Sequence, residues 1–253
     1  MRTPFFTIIT PTLNSEKYLK ESIMSVEDQE FKDWEHIFID SFSTDKTIKI
    51  INDYKKRNPG KVLVYRYPKA GISDAFNKGI KHSKGVYINF LGSDDLLKEN
   101  SLKIVYEKIK NKKYSWCYGN FDIINDKNNI TKRKRYYFNN FHYNMLFFQF
   151  YICHQTVFMK KKIFNQYGLF RTDLKYAMDH EYWLRIGKKE KPFFIPKVLC
   201  NFRRDGNNIT SKLWKEQTFE KKNINQRYCP FYIRPFSILF FYTNLMTDII
   251  KGK

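Results

Sequence analysis

No pair of cysteines in this sequence has metal-binding or disulfide-framework spacing. Cys117, Cys153, Cys200 and Cys229 are widely spread and form no CxxC motif. That argues against a zinc site and is consistent with a reducing cytosol. The opening MRTPFFTIITPTLN lacks a long apolar core and a small-residue cleavage site, so no signal peptide is expected. Acid is scarce: 25 acidic residues stand against 46 basic ones, a net charge of +21. Such a surplus favours polyanionic partners, whether nucleic acid, anionic lipid or phosphorylated substrates. It also has a compositional reading, because Lys, Asn, Ile, Phe and Tyr are abundant together. Lys132-Arg133-Lys134-Arg135 is short and lacks a surrounding recognition module, so no nucleic-acid partner is expected.

What the chain does have is length and apolar side chains. Its 253 residues, 42% hydrophobic and 18% aromatic, suffice for one large α/β domain with an appendage. Residues 5–10 (FFTIIT) read as a buried strand broken by Pro11-Thr12-Leu13-Asn14, and Leu19, Ile23 and Val26 then mark a helix face. Residues 34–40 (WEHIFID), 62–67 and 86–91 read as further strands. Between them Ile48, Ile51 and Tyr54, then Ile72, Ala75, Phe76, Gly79 and Ile80, recur at helical spacing; Leu102, Val105, Tyr106 and Ile109 follow the fourth strand. Four such alternations imply a mostly parallel sheet with helices on both faces. Ligands bind such sheets just outside the carboxyl ends of the strands. Asn14, Asp40, Asp74, Asn77, Asp94 and Asp95 all fall at that edge.

The organising stretch is 86–97 (VYINFLGSDDLL). Its apolar run stops at Gly92, where the backbone can turn sharply, and Ser93, Asp94 and Asp95 follow. Adjacent carboxylates repel each other unless something positive sits beside them. A hard cation, magnesium or manganese, suits their oxygens, and a diphosphate would complete its shell. A polar turn without a ligand is the other reading of these residues taken alone. A nucleotidyltransferase is disfavoured, because TPTLN has no glycine and its amides cannot cradle a triphosphate.

Together these motifs resemble glycosyltransferase family 2, the inverting enzymes of the GT-A fold. Gly92-Ser93-Asp94-Asp95 is similar to the family's Asp-x-Asp metal and nucleotide motif, and Thr10-Pro11-Thr12-Leu13-Asn14 to its opening motif. Residues 39–47 (IDSFSTDKT) resemble the second motif and 71–80 (GISDAFNKGI) the third. The resemblance covers residues 5–185. It implies a Rossmann-like, mostly parallel central sheet with helices on both faces, plus a C-terminal helical extension. By the same resemblance Thr10, Pro11, Thr12 and Asn14 line the nucleotide pocket with Gly71, Asp74 and Asn77, and Asp40 bonds the base. Ser93 and Asp94 face the ribose or donor sugar, and Asp95 holds Mg2+ or Mn2+ on the diphosphate. Many members carry a second acid after Asp40; Ser41 stands there in this chain. The reaction implied moves a hexosyl or N-acetylhexosaminyl group, with inversion, from a nucleotide-sugar donor, a UDP-sugar being favoured. The acceptor implied is a saccharide hydroxyl, on a polyprenyl-diphosphate-linked oligosaccharide in surface polysaccharide assembly.

Residues 178–186 (MDHEYWLRI) fit a helix with Asp179 at its start, where exposed amides and the dipole favour a carboxylate. That suits a structural cap and equally a general base. The family's base lies in an Asp-containing motif at this point. Asp179 matches it, with Met178 in place of the usual Glu and Glu181 as the rival. His154 opens an expected strand, 153–159, and is a further candidate because the resembled subfamily often has His-Gln there. Residues 198–204 read as a strand ending in Arg203 and Arg204, which would either clamp a diphosphate or lie solvated. The aromatic stretch 138–152 is either a core-packed helix or a wall on the acceptor side.

Residues 211–227 read as an exposed polar helix. Residues 233–250 are strongly apolar but slightly short of the ~20 a spanning helix needs, and Asn244 and Asp248 interrupt them. A helix lying on a membrane surface fits this pattern. The expected division is 1–210 for the transferase domain, with a nucleotide-sugar half (1–112) and an acceptor half (113–210), then 211–253 as the extension. The expected location is cytoplasmic, peripheral on the cytoplasmic face of the inner membrane. The competing expectation is a non-catalytic basic scaffold bound to membrane or nucleic acid, in which Asp94, Asp95 and Asp179 do not converge.

Overall fold

The computed structural model describes residues 3–68, 71–135, 141–149, 151–206 and 213–250. The first half alternates as expected: β1 (Phe6–Thr12), α1 (Glu16–Glu27), β2 (Trp34–Asp40), α2 (Thr47–Arg57), β3 (Val62–Arg66), α3 (Ile72–His82) and β4 (Tyr87–Phe90). The strands lie side by side in the order β3-β2-β1-β4, all parallel. Strand side chains alternate between faces, and that period divides the interior in two. Phe6, Ile8, Trp34 and Phe38 pack with Leu19, Ile23 and Val26 of α1 and Ile51 and Tyr54 of α2. Ile9, Ile37, Ile39 and Ile88 face the other way, onto Ala75, Phe76 and Ile80 of α3. Sheets covered on both faces need apolar residues at nearly every strand position, which is why these strands read as runs.

β1 does not break at Pro11; it continues through Thr12. β4 pairs with β1 only as far as Ile9, whereas β2 pairs through Thr12. Past Ile9 one side of β1 is therefore an edge, the setting in which a proline's missing N–H is tolerated.

The second half extends the same sheet with mixed directions. Its elements are β5 (Leu96–Leu97), α4 (Ser101–Ile109), β6 (Trp116–Ile124), β7 (Ile130–Lys134), β8 (Phe158–Lys160), α5 (Lys161–Tyr167), α6 (Met178–Ile186), β9 (Phe193–Arg203), α7 (Trp214–Tyr228) and α8 (Arg234–Ile250). The order continues β4-β8-β6-β9-β5, with β7 paired to β6. β8 is antiparallel to β4 and β6, while β9 runs parallel to β6. Short β5 pairs with the end of β9, Leu96 opposite Asn201, and so carries the acidic turn to that strand's terminus.

Residues 153–159 are not one strand. His154–Thr156 is a 3-10 turn, and β8 begins only at Phe158. The Thr156 hydroxyl donates back to the Cys153 carbonyl at 2.8 Å, and the Asn89 amide donates to the Gln155 and Val157 carbonyls, each at 2.9 Å. Such side-chain bonds compete with a sheet ladder. Of the aromatic stretch, Tyr143–Phe147 forms another 3-10 turn with Leu146 and Phe147 buried; 138–140 and 150 lie outside the described residues.

α7 is not simply an exposed polar helix, because its Ile224, with Cys229 just beyond its end, joins the α3-side core. The expected boundary at 210 falls outside the described residues. α8 lays Ser237 and Phe240 against the Tyr143–Phe147 turn and Phe148. Its outer side exposes Phe236, Leu239, Tyr242 and Met246. Among the described residues no helix is long and apolar enough to cross a membrane.

Candidate active site

The acidic turn lies at the carboxyl end of β4, against the end of β9. Asp95 is buried. Its Oδ1 accepts from the Arg203 backbone N–H at 2.9 Å and its Oδ2 from the Gln155 side-chain amide at 2.5 Å. Each oxygen keeps acceptor capacity for one more partner. Burial and the charge of Asp95 push the Asp94 carboxyl up to about 7; burial raises Asp95 as well. A bound cation would relieve both effects, so the pair fits one of magnesium's or manganese's character. Among the described residues no third His, Cys, Asp or Glu converges there. Substrate oxygens and water would have to complete the shell, which is the usual arrangement for a cation held on a diphosphate.

Two residues frame this turn. Gly92 has no room for a side chain, since a Cβ there would lie 2.4 Å from Asp95 Oδ2. Arg203 is wholly buried behind the turn. Its Nε donates to the Asp94 carbonyl at 2.8 Å, Nη1 to the Asn125 carbonyl at 2.9 Å and Nη2 to Glu21 at 2.9 Å, and its plane lies 4.1 Å from the Tyr18 ring centroid. The structure thus places Arg203 as a strut for the acids, with its donors engaged by protein. Arg204, next in sequence, is exposed.

Consecutive residues connect the acidic turn to α6. Gln155 holds Asp95, and the Nδ1 of His154 lies 3.5 Å from Asp179 Oδ2. Asp179 is buried in the first turn of α6 and its Oδ1 accepts from the His180 backbone N–H at 2.7 Å. Burial works against its charge. The hydrogen bond and charge of His154, the Lys221 ammonium and the His180 N–H outweigh burial, and the carboxyl sits below its ordinary range. Glu181 points elsewhere: it is buried, paired with Arg185 at 2.6 Å and bonded by the Tyr228 hydroxyl.

α7 is fastened along α6. The Glu220 carboxylate accepts from the backbone N–H groups of Lys175, Tyr176 and Ala177 at 2.9, 2.7 and 2.7 Å. The Gln217 amide donates to the Tyr176 carbonyl at 3.2 Å, and Asn225 bonds His180 at 2.8 Å. Sequence reading passed over Gln155, Glu220 and Lys221. In a helix reading EKKNINQR nothing separates a half-buried lysine from solvated ones.

The first two motifs are knitted together at the same sheet edge. Asp40 is buried and accepts from Thr12 (3.0 Å), the Ser43 hydroxyl (2.5 Å), the Ser43 N–H (3.0 Å) and Arg66 (3.2 Å). Its acceptor positions are therefore filled by the protein. Asn14, at φ +48°, accepts from the Thr44 N–H at 2.9 Å. Ser93 donates to the Ser15 hydroxyl at 3.0 Å and so joins the acidic turn to the first loop. Pro11 lies half-buried within β1. Thr10 faces inward, 3.0 Å from the Nε2 of His36, whose imidazole burial pushes down to about 3. Phe42 was also passed over: its ring is exposed on this edge although its backbone is left-handed, φ +57°, and Arg66 lies over it at 4.8 Å.

The third motif faces the loop before α6. The Asn77 amide both donates to the Phe170 carbonyl (2.8 Å) and accepts its N–H (3.0 Å), while Ser73 donates to the Leu174 carbonyl. Asp74 pairs with Lys78 at 2.6 Å. Gly71, at φ +99°, precedes α3. Asp94, Asp95, His154 and Asp179 are thus brought together; Thr10, Asn77, Glu181 and Arg203 are occupied in holding the frame.

Comparison with known proteins agrees with this geometry. A family model, Glycosyl transferase family 2, matches residues 7–168. The chain belongs to that family, and its fold is GT-A. A Bacillus subtilis protein named for teichuronic acid biosynthesis, the glycosyltransferase TuaG, is 25% identical over 84% of each chain. The PGL/p-HBAD biosynthesis glycosyltransferase of Mycobacterium bovis is 29% identical over 73% of this chain and 70% of its own length. Among solved structures, S. aureus TarS 1–349 with UDP-GlcNAc superposes at a TM-score of 0.72 and 19% identity, covering 87% of this chain. The chain spans 65% of that TarS chain. The mannosyltransferase PcManGT of Pyrobaculum calidifontis, with GDP-Man and Mn2+, superposes at 0.68 and 16% identity, over all of this chain and 77% of its own.

Proposed function

We propose that this protein transfers a sugar, with inversion, from a nucleoside-diphosphate donor to a saccharide hydroxyl in cell-surface glycan synthesis. Asp179 takes the proton of the acceptor hydroxyl as that oxygen attacks the anomeric carbon. The bond from that carbon to the diphosphate breaks on the opposite face, and the diphosphate leaves with the electron pair. Asp94 and Asp95 would hold Mg2+ or Mn2+, which when bound neutralises charge on the diphosphate. The observation that carries this reading is the His154–Gln155 step. One residue contacts Asp179 and the next holds Asp95, so proton acceptor and cation holder lie on two sides of a single turn.

A UDP-sugar is favoured, and a hexosyl or N-acetylhexosaminyl group, since TarS was captured with UDP-GlcNAc. The relatives' names support a surface-glycan acceptor, and the exposed apolar side of α8 supports one held at a membrane. Between 211 and 253 eight basic residues stand against three acidic ones, which suits a peripheral position on the anionic cytoplasmic face. On this reading residues 1–112 handle the donor and 113–210 the acceptor, with 211–253 as the membrane-facing addition.

Calorimetry with UDP, with and without Mn2+, tests the proposal. Binding that needs the metal and disappears in Asp95→Asn is the expected result; metal-indifferent binding that survives Asp95→Asn refutes it. A screen of UDP- and GDP-sugars for diphosphate release would then identify the donor.

A further inference from the structure

α7 runs alongside α6 in step with it. Gln217 reaches Tyr176, Glu220 binds the amides of residues 175–177, Asn225 meets His180 and Tyr228 meets Glu181. Lys221 is one helical turn after Gln217 and one before Asn225, on the same side. It is therefore level with Asp179. It is also half-buried, an unusual position for a lysine unless it is paired. We propose that Lys221 is a positioning residue for the transfer, whose ammonium holds Asp179 ionised and aimed at the acceptor hydroxyl.

The groups that hold the Asp179 charge come from three directions, and of these His180, its imidazole pushed down to about 4 by burial, contributes only its backbone N–H. His154 faces it from the 3-10 turn, Lys221 from α7, and the buried His180 follows it on α6. Arg204 acts on Lys221 from beyond β9; burial chiefly, and then Arg204, bring the ammonium down to about 8, with Asp179 opposing. Removing the Lys221 charge leaves burial less opposed, so the Asp179 carboxyl should titrate higher. Lys221 also lies beyond the family-matched region, which ends at 168.

The inference rests on Asp179 being the base, so the test separates the two. Asp179 is followed by carbon NMR of the side-chain carboxyls in aspartate-labelled protein, with its resonance assigned from Asp179→Asn. In Lys221→Met, or Lys221→Gln should the first variant fold poorly, the midpoint should rise by about one pH unit or more, as loss of an adjacent opposite charge predicts. Lys221→Arg should restore it. Lys222→Met is the control, because Lys222 turns away to the Tyr242 hydroxyl at 2.7 Å. With the donor found by the screen, Lys221→Met should move the acidic limb of kcat/KM upward and add no loss in an Asp179→Asn background. An unmoved midpoint in folded Lys221→Met overturns the inference whatever Asp179 does. Full turnover in Asp179→Asn overturns the base assignment instead.

Discussion

Replacing Gly92 by alanine tests how the acidic turn is built. Gly92 does not have a left-handed backbone, so alanine brings no conformational penalty there; the effect is contact alone. The new methyl would sit 2.4 Å from Asp95 Oδ2 and 3.0 Å from Asp94 Oδ1, whereas ordinary contacts begin near 3.4 Å. The Asp95 carboxylate must therefore retreat by about 1 Å, far enough to break its 2.5 Å bond from Gln155. A hydrogen bond to a buried charge contributes ~1.5–3 kcal/mol. If that stabilises the cation-holding conformation, UDP affinity in the presence of Mn2+ should fall roughly 10- to 150-fold. Without metal the variant, like wild type, should show no UDP binding. Calorimetry with and without Mn2+ measures both, and thermal unfolding shows whether the fold has survived. Affinity within twofold of wild type in a folded Gly92→Ala protein would refute the claim that the glycine clears space for the carboxylates.

Asp179→Asn should lower kcat by ~10²–10⁴ while Mn2+-dependent UDP binding persists; unchanged turnover removes Asp179 from the mechanism. Burial and the charge of Asp95 raise Asp94 to about 7, and burial raises Asp95 too. Groups raised in this way stabilise the fold below their unfolded value and lose that contribution as pH rises through the folded one. The gain in melting temperature on adding Mn2+ should therefore grow from about pH 5 to about pH 8; a gain independent of pH would contradict it. Phe42→Ala should raise the donor KM and leave kcat unchanged if the exposed ring supports the nucleobase, and equal KM values exclude that role. Phe236→Glu with Leu239→Glu on the outer side of α8 should abolish co-sedimentation with anionic vesicles without altering the melting temperature, whereas persistent binding places the membrane contact elsewhere.

What could be read from residue order was what local periodicity encodes. The parallel strands announced themselves because burial on both faces makes Ile8, Ile37 and Ile88 sit in unbroken apolar runs, and the carboxyl-edge rule then gathered the polar residues of the motifs. Legibility failed where one side chain has two uses. Asp40 and Asn77 have the residue types of ligand contacts, yet their hydrogen bonds close onto Ser43 and Phe170. Arg203 reads as a phosphate clamp, but β5 brings its strand end beneath Asp94 and turns it into a buried support. The Asn77 and Arg203 outcomes depend on pairings 93 and 109 residues apart, which no window of the chain contains. The same limit hid the attachment of α7, which reads as a helix but as an exposed one. A helix recognised by apolar spacing needs an apolar stripe, whereas α7 attaches itself to α6 with Gln217, Glu220, Asn225 and Tyr228 around the buried Ile224. Polar attachment of this kind is directional, and direction is what the first turn of α6 requires. An apolar seam could slide by a fraction of a turn, but three amides bound to one carboxylate cannot. The polarity that made the helix look dispensable is therefore what fixes Asp179 relative to His154.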